Sequence, residues 1–422
     1  MVRARIICLL ALALASLCCF AIRVAAQDLS IANSRMNISI AGYRGSSRPG
    51  YVGDSSCLSC HQKQGTSYQY TAHHMTSQLA SEDSILGSFA KGSNILMISD
   101  PKTINIDPRL YFKLEMKDGK YYQTAIAERG PQTLTRSESI DIVIGSGVRG
   151  QTYLYWAGDK LYELPVSYWS KGHQWINSPG YRDGTANYGR HVDARCLECH
   201  ATYIRALSTD LLSNIYDRTS LVTGISCETC HGAGADHIAR EKSHSANPVK
   251  SNSSGILNPA KFDRDRQIDQ CALCHNGTQR EELIPAFSYL PGTPLDKYLG
   301  PNPVDTTDHP DVHGNQVGLF KRSRCYLSSP SMTCSTCHNV HAPERSAAAY
   351  SDRCLTCHQW ESCGASKQEG NRIANNCIDC HMPLEQTNAI VSVTAGQILR
   401  TSMRNHWIKI YPIRALPSDA LQ

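Results

Sequence analysis

Seven copies of one short pattern, C-x-x-C-H, constrain this chain more than any other feature of its sequence. The cysteine pairs are Cys57/Cys60, Cys196/Cys199, Cys227/Cys230, Cys271/Cys274, Cys334/Cys337, Cys354/Cys357 and Cys377/Cys380. A histidine follows each pair at once, at His61, His200, His231, His275, His338, His358 and His381. Zinc ribbons and disulfides also use C-x-x-C pairs, but neither requires a histidine directly after the second cysteine. The pattern therefore predicts seven covalent haems c, each held by two thioethers and a proximal imidazole.

Seven haems in 422 residues leave too little chain to bury each haem in a domain of its own. We therefore expect a mixed fold, with mostly short α-helices and loops wrapped around stacked haems. The long interval between Cys60 and Cys196 carries no haem pattern and has strand character instead. Two alternating runs joined by the turn residues Asp118 and Gly119 predict a β-hairpin at 110–127. A β-rich insert at about 88–190 follows, with its Tyr and Trp residues as a hydrophobic core.

The first 26 residues read as a secretory signal, with Arg3 and Arg5 before an apolar run and a cleavage site near Ala26. Lipidation at Cys18 or Cys19 is disfavoured because neither follows a small residue. The predicted organisation is the signal peptide 1–26, a flexible lead-in 27–50, a first haem site 51–87, the β-rich insert, a six-haem cytochrome domain 191–411 and a C-terminal tail 412–422. No other segment reads as a membrane span, so we expect a periplasmic or extracellular protein.

Ten histidines lie outside the haem patterns and are the candidate distal ligands. His341 is three residues after His338, so both would lie on one face of a helical turn, whereas a distal ligand must approach from the other side of the porphyrin. We therefore expect His341, and by the same reasoning His237, to serve a different haem from the histidine before it. The remaining distal candidates are His73 (or its neighbour His74), His191, His244, His313 and His406, while His173 and His309 fit surface roles better.

Cys325 and Cys363 are the two mature cysteines outside the haem patterns. In an oxidising compartment a structural disulfide between them is the simplest prediction, and two buried free thiols are the alternative. The formal charge of +5 does not indicate a nucleic-acid partner, because two propionates on each haem would make the loaded protein acidic.

Four strings resemble motifs of the multihaem cytochrome c family that includes the tetrahaem cytochrome of nitrifying bacteria. They are G-D-S-S-C-L-S-C-H from 53, C-E-T-C-H-G-A-G-A-D-H from 227, C-S-T-C-H-N-V-H-A-P-E from 334 and N-C-I-D-C-H-M-P from 376. The resemblance implies distal roles for His237 and His341, favours His73 over His74, and implies closely stacked haem pairs. The chain lacks the C-x-x-C-K pattern of the pentahaem nitrite reductases.

The function predicted first is electron transfer along mostly bis-histidine haems, with redox proteins as donor and acceptor. One alternative is a reductase or oxidase of small nitrogen or sulfur compounds, with one five-coordinate haem. Another is a subunit of an oligomer or an extracellular cytochrome filament. No catalytic residue is predicted.

Overall fold

The computed structural model describes residues 50–98, 109–244, 255–277, 280–301, 309–310, 315–344, 346–373 and 375–412. The predicted signal peptide and most of the lead-in lie outside these ranges. The helices are α1 Asp54–Leu58, α2 Gln62–Tyr68, α3 Ala194–Glu198, α4 Cys227–His231, α5 Ala235–His244, α6 Arg264–His275, α7 Gln316–Lys321, α8 Arg324–Ser328, α9 Ala347–Leu355, α10 Ser366–Glu369 and α11 Cys377–His381. Short 3₁₀ segments lie at His74–Thr76, Pro259–Lys261, Leu295–Lys297, Cys334–Thr336, Trp360–Ser362 and Gly370–Ile373.

The strands form four antiparallel sheets. They are β1 Ser77–Leu79, β2 Ile95–Met97, β3 Arg109–Lys117, β4 Lys120–Arg129, β5 Gln132–Ile140, β6 Ile142–Ile144, β7 Gly150–Ala157, β8 Lys160–Glu163, β9 Val166–Trp169, β10 Gln174–Asn177, β11 Ala201–Ala206, β12 Tyr216–Thr223, β13 Leu384–Thr394 and β14 Gln397–Arg404. One sheet has the order β1-β6-β7-β9-β10 with β8 beside β7, and a second has the order β2-β3-β4-β5. Strands β11 and β12 form the third sheet, and β13 and β14 form the fourth.

The hairpin predicted at the Asp-Gly turn is confirmed. Strands β3 and β4 pair from Lys117 opposite Lys120, and both turn residues have positive φ, 50° at Asp118 and 71° at Gly119. Such a two-residue turn follows the right-handed twist of its strands. The core predicted for the insert is confirmed for Tyr153 and Trp175, which are buried between the two larger sheets.

A helical segment from Tyr203 to Ile215, which the sequence pattern alone would allow between the second and third haem patterns, is not formed. Residues 201–206 form strand β11, which pairs with β12 and carries β-bulges at two points. Tyr216 is completely buried in a cluster with Trp156 and Leu161 of the insert. Packing against these strands outweighs the local helical pattern, as tertiary context often does.

A C-terminal hairpin that the sequence reasoning missed joins the last haem pattern to the insert. Strands β13 and β14 meet at a turn with φ 47° at Ala395 and 79° at Gly396. Asp183 of the insert accepts hydrogen bonds from the backbone amides of both turn residues. No helix in the described ranges is long and apolar enough to span a bilayer.

The helices that carry the haem patterns are too short to be stable alone. Helices α1, α4 and α11 have five residues each, far below the length at which an isolated helix persists in water. Neither α1 nor α2 buries any side chain in the described structure. Contacts outside the helices must therefore fix these patterns in place.

Gly224 holds the segment that begins at His73 against the end of β12. Its φ is 67°, and a Cβ at this position would collide with the carbonyl oxygen of His74. The amide of the next residue, Ile225, donates to the carbonyl oxygen of His73 at 3.0 Å. A side chain at Gly224 would force apart two backbone segments that are joined by this hydrogen bond.

We predict that Gly224→Ala lowers the free energy of unfolding of the haem-loaded protein by about 1–3 kcal/mol, because the left-handed conformation and the collision add strain. Thermal unfolding followed by circular dichroism measures the change. Gly364→Ala is the matched control, since its added Cβ has nothing within 4 Å and its φ is not positive. Equal stability of the two variants would contradict the role given to Gly224.

Candidate functional site

The described part of the chain encloses a cavity of about 2360 Å³ that is lined by five of the seven haem patterns. Its lining includes both cysteines and the histidine of the patterns at 57–61, 227–231 and 271–275, together with Cys199, His200, Ser335 and His338. None of the fourteen pattern cysteines, all of which lie in the described ranges, forms a disulfide, and none is fully buried. The thiols that the haem patterns require are therefore accessible.

The cysteines and histidines of the two remaining haem patterns, at 354–358 and 377–381, do not line this cavity. Their second cysteines, Cys357 and Cys380, are predicted haem attachment points that the structure leaves exposed. The two patterns lie next to one another, since the hydroxyl of Ser351 in α9 accepts from the amide of Cys377 at the start of α11. The pattern at 354–358 also adjoins that at 334–338, because Tyr350 of α9 packs on His338 with ring centroids 5.3 Å apart. Haem attachment at Cys357 and Cys380 stays a prediction from the pattern.

Four of the proximal histidines each face a second histidine at nearly one separation. The ring centroids are 6.3 Å apart for His61 and His237, 6.0 Å for His73 and His275, 6.2 Å for His231 and His341, and 6.2 Å for His338 and His406. Three pairs are nearly parallel, with interplanar angles of 23–28°, and the pair of His73 and His275 is inclined at 71°. Each pair joins a histidine of a haem pattern to one from a distant part of the chain.

This separation tests whether the residues fit a haem. Two metal–imidazole bonds of about 2.0–2.1 Å, with roughly 1.1 Å more from each nitrogen to its ring centroid, add up to about 6.3 Å. Rings in direct contact also have centroids about 4.5–7 Å apart, so the cysteines beside the proximal histidines are what assigns the separation to a haem. Together with the accessible thiols beside the proximal histidines, the separation means that the residues present fit haem c.

Hydrogen bonds at Nδ1 leave the other ring nitrogen, Nε2, to a metal. The Nδ1 of His231 lies 2.9 Å from the carbonyl oxygen of Leu257, and that of His381 lies 2.9 Å from the carbonyl oxygen of Lys409. A carbonyl oxygen can only accept, so Nδ1 carries the proton in both rings. This arrangement is the usual second shell of a histidine ligand, because it fixes the tautomer and the ring orientation.

Desolvation lowers the pKa of five of the eight paired imidazoles and so favours the neutral form that metal ligation requires. Desolvation, with a smaller effect of the charges on His275 and His338, lowers the pKa of His73 to about 4. Desolvation and the charge of His338 likewise lower the pKa of His406 to about 4. The same cause lowers the pKa of His275, His338 and His341. All five are unprotonated at neutral pH.

The other distal candidates are placed less clearly. His74 lies 3.5 Å from Asp54, and His73 rather than His74 faces a proximal histidine. His191 is exposed and forms an isolated β-bridge with Tyr162. His313 and the side chain of His244 lie outside the described residues. His309, expected at the surface, is exposed and bonds to Glu385 at 2.8 Å.

Acidic residues anchor the haem patterns, a feature that the sequence reasoning missed. Glu228, between the cysteines of its pattern, accepts from the backbone amides of Val52, Gly53 and Gly234 at 2.8–3.1 Å. Asp54 accepts from the amide of Cys227 at 2.8 Å. The patterns at 57–61 and 227–231 are thus tied to each other by two carboxylates.

The same design recurs in two other patterns. Glu198 accepts from the amide of Phe287 at 2.6 Å and pairs with Arg195, and Asp379 pairs with Arg404 at the end of β14. An acidic residue between the cysteines, as in C-L-E-C, C-E-T-C and C-I-D-C, is the signal from which these anchors could have been predicted.

Cysteines of different patterns lie close to each other. The thiols of Cys57 and Cys227, of Cys199 and Cys274, and of Cys271 and Cys334 are near enough for each to shift the pKa of the other. Each such pair brings two haem attachment points together. Cys325 and Cys363 are both free thiols in the structure, so the disulfide predicted between them is not confirmed.

Comparisons with known proteins agree with the haem patterns. Residues 173–232 match the family described as cytochrome c554 and c-prime, a range that contains two of the haem patterns. Over 97 residues the chain is 33% identical to the C-type polyheme cytochrome OmcB of Geobacter sulfurreducens, in each of two strains. That match covers 22% of this chain and 10% of OmcB, so it spans only a tenth of that relative's length.

The structure resembles that of the outer cell wall cytochrome OcwA, with a TM-score of 0.52 at 17% identity over 85% of this chain and 80% of OcwA. At this identity the likeness shows the fold alone. The haem patterns, the family match over residues 173–232 and the 97-residue match to OmcB support a multihaem c-type cytochrome with covalent haem c.

We predict that Glu228→Gln lowers the free energy of unfolding by about 1–3 kcal/mol, because an amide has one acceptor oxygen for three backbone donors. Thermal unfolding of the haem-loaded protein is the measurement. Glu82→Gln removes an exposed carboxylate and should leave the midpoint unchanged. If Glu228→Gln were as stable as wild type, the three amides would not depend on this carboxylate.

Proposed function

We propose that this chain is an exported heptahaem cytochrome that passes electrons stepwise along bis-histidine haems. The observation that carries the proposal is the recurrence of one ring separation, 6.0–6.3 Å, in four histidine pairs from different parts of the chain. Six-coordinate iron offers no position to a substrate, so such sites suit electron transfer.

The four pairs support a specific ligand assignment. The distal ligands are His237 for the haem on Cys57/Cys60, His341 for that on Cys227/Cys230, His73 for that on Cys271/Cys274 and His406 for that on Cys334/Cys337. His191, His244 and His313 remain the proposed candidates for the other three haems, on Cys196/Cys199, Cys354/Cys357 and Cys377/Cys380.

Haem supplies a reversible one-electron Fe(III)/Fe(II) couple. Desolvation favours the neutral form of five of the paired histidines, and carbonyl acceptors at Nδ1 fix the tautomers of His231 and His381. The proximity of Cys57 to Cys227, of Cys199 to Cys274 and of Cys271 to Cys334 supports electron exchange between the haems that these cysteines would hold. They suggest that the haem on Cys271/Cys274, with one thiol toward each of two other patterns, is a branch point of the electron path.

The two haem patterns whose cysteines and histidines do not line the cavity are the proposed outer end of this electron path. Their second cysteines, Cys357 and Cys380, are exposed, so haems bound there would be accessible to another redox protein. The haems around the cavity would then carry electrons within the chain, and the pair on α9 and α11 would exchange them with a partner.

Export and location belong to the same proposal. The predicted signal peptide and the likeness to a cytochrome described as belonging to the outer cell wall support a periplasmic or extracellular site with redox proteins as partners. The resemblance to nitrifier cytochromes adds no particular partner.

The first test is a haem count by the pyridine haemochrome assay, followed by EPR spectroscopy of the oxidised protein. We expect seven haems and low-spin ferric signals. A count far from seven would overturn the haem assignment. A high-spin haem that binds a small nitrogen or sulfur compound and turns it over would instead establish the reductase or oxidase alternative, and filaments in negative-stain images would establish the polymer alternative.

We predict that His341→Gly leaves all seven haems attached but converts one of them to high spin, because only the distal bond of the haem on Cys227/Cys230 is lost. Added imidazole should restore the low-spin spectrum by occupying the space. His173→Asn, at an exposed turn, is the matched control and should have no effect.

His406→Gly should open a different haem, so that the double variant shows two high-spin haems. If the double variant showed only one, His341 and His406 would serve the same haem. Loss of the haem on Cys334/Cys337 in the single His341 variant would also contradict the assignment.

A further inference from the structure

The proximal histidine His200 differs from His231 and His381 in what its Nδ1 contacts. Its Nδ1 lies 2.9 Å from Oγ1 of Thr76, a side-chain hydroxyl, whereas His231 and His381 bond to backbone carbonyls. The carbonyl oxygen of His200 also accepts from the hydroxyl of Ser77 at 2.5 Å. Two successive residues therefore hold His200 from one side.

Thr76 has a fixed position because both its backbone amide and its backbone carbonyl oxygen form hydrogen bonds. Its amide donates to the carbonyl oxygen of His73 at 3.2 Å, and its carbonyl oxygen accepts from the amide of Gly145 at 2.7 Å. Ser77 pairs with Ile144 in register, which ties the same segment to the larger sheet. The sheet therefore fixes the backbone that holds the hydroxyl of Thr76 against His200.

The direction of the hydrogen bond follows from the ligand role of His200. When Nε2 binds a metal, Nδ1 carries the ring proton and must donate, so the hydroxyl of Thr76 accepts. Donation from Nδ1 makes the imidazole a more basic ligand, and a more basic ligand stabilises ferric over ferrous iron. The bond therefore favours the oxidised state of the site.

We propose that Thr76 is a positioning residue that, through Nδ1 of His200, lowers the reduction potential of the haem on Cys196 and Cys199. The inference rests on the proposed function. It also couples two neighbouring sites, because the segment that contains Thr76 begins with His73, which faces His275, and because Cys199 and Cys274 lie close to each other. Thr76 thus biases the electron toward the haem on Cys271/Cys274.

Spectroelectrochemical titration of the haem-loaded protein tests the proposal through the potentials themselves. Thr76→Val keeps the shape of the side chain and removes the acceptor, so one of the seven redox components should shift to higher potential. Thr76→Ser keeps a hydroxyl and should restore the wild-type titration. Thr133→Val, on the exposed part of β5, is the matched control and should shift nothing.

A second variant distinguishes an effect on the reduction potential from general damage to the site. Thr76→Asp places a charged acceptor at Nδ1 and should shift the same component to lower potential, opposite in sign to Thr76→Val. General disturbance of the site would not reverse its sign with the acceptor. Shifts in the same direction, or no shift in either variant, would overturn the proposal.

Failure of the underlying function gives a different result. In that case the wild-type protein would not show seven haems in the haemochrome assay or low-spin signals in EPR. If the wild type meets both criteria but Thr76→Val loses the haem on Cys196/Cys199, Thr76 is needed for attachment. The tuning role then stands only if Thr76→Asp retains that haem and shifts its potential downward; otherwise the tuning role is overturned.

Discussion

A separation of about 6 Å between the ring centroids of facing imidazoles is the constraint on which the rest of this structure depends. It matches two metal–nitrogen bonds together with the distance from each nitrogen to its ring centroid. Four such pairs bring together eight histidines from distant segments of the chain. The short helices, the loops between them and the C-terminal hairpin can be understood as the means of bringing those segments together.

The polar contacts around the haem patterns supply what the helices lack. A five-residue helix contributes almost no stability of its own, so its orientation depends on neighbours. Glu228 binds three backbone amides, and Asp54 binds the amide of Cys227 although burial alone would raise its pKa. Hydrogen bonds from His74 and Cys227 outweigh the burial and hold the pKa of Asp54 below its usual value. Charge-assisted bonds of this kind are strong enough to fix a short segment.

Local patterns in the sequence predicted what local chemistry determines. The C-x-x-C-H repeats indicated the cofactor, and the Asp118-Gly119 turn indicated the β3–β4 hairpin. Spacing also indicated that His341 serves a different site from His338, but not which one. Its ring lies beside His231, a partner that only the tertiary fold can select. The strand at Tyr203 was missed for the same reason, since burial against Trp156 and Leu161 decides its conformation.

The β-rich insert contributes to the site although it contains no haem pattern. Strand β1 is only three residues long, yet its register with β6 places Ser77 opposite Ile144 and sets Thr76 and Ser77 against His200. A slip of one residue would turn both side chains to the other face of the strand. The completely buried core of the insert, with Tyr153 and Val143, opposes such a slip because it fixes the sheet to which β1 is attached. The insert therefore determines the surroundings of a proximal histidine without contributing a ligand, and a role in setting its redox properties follows from its position.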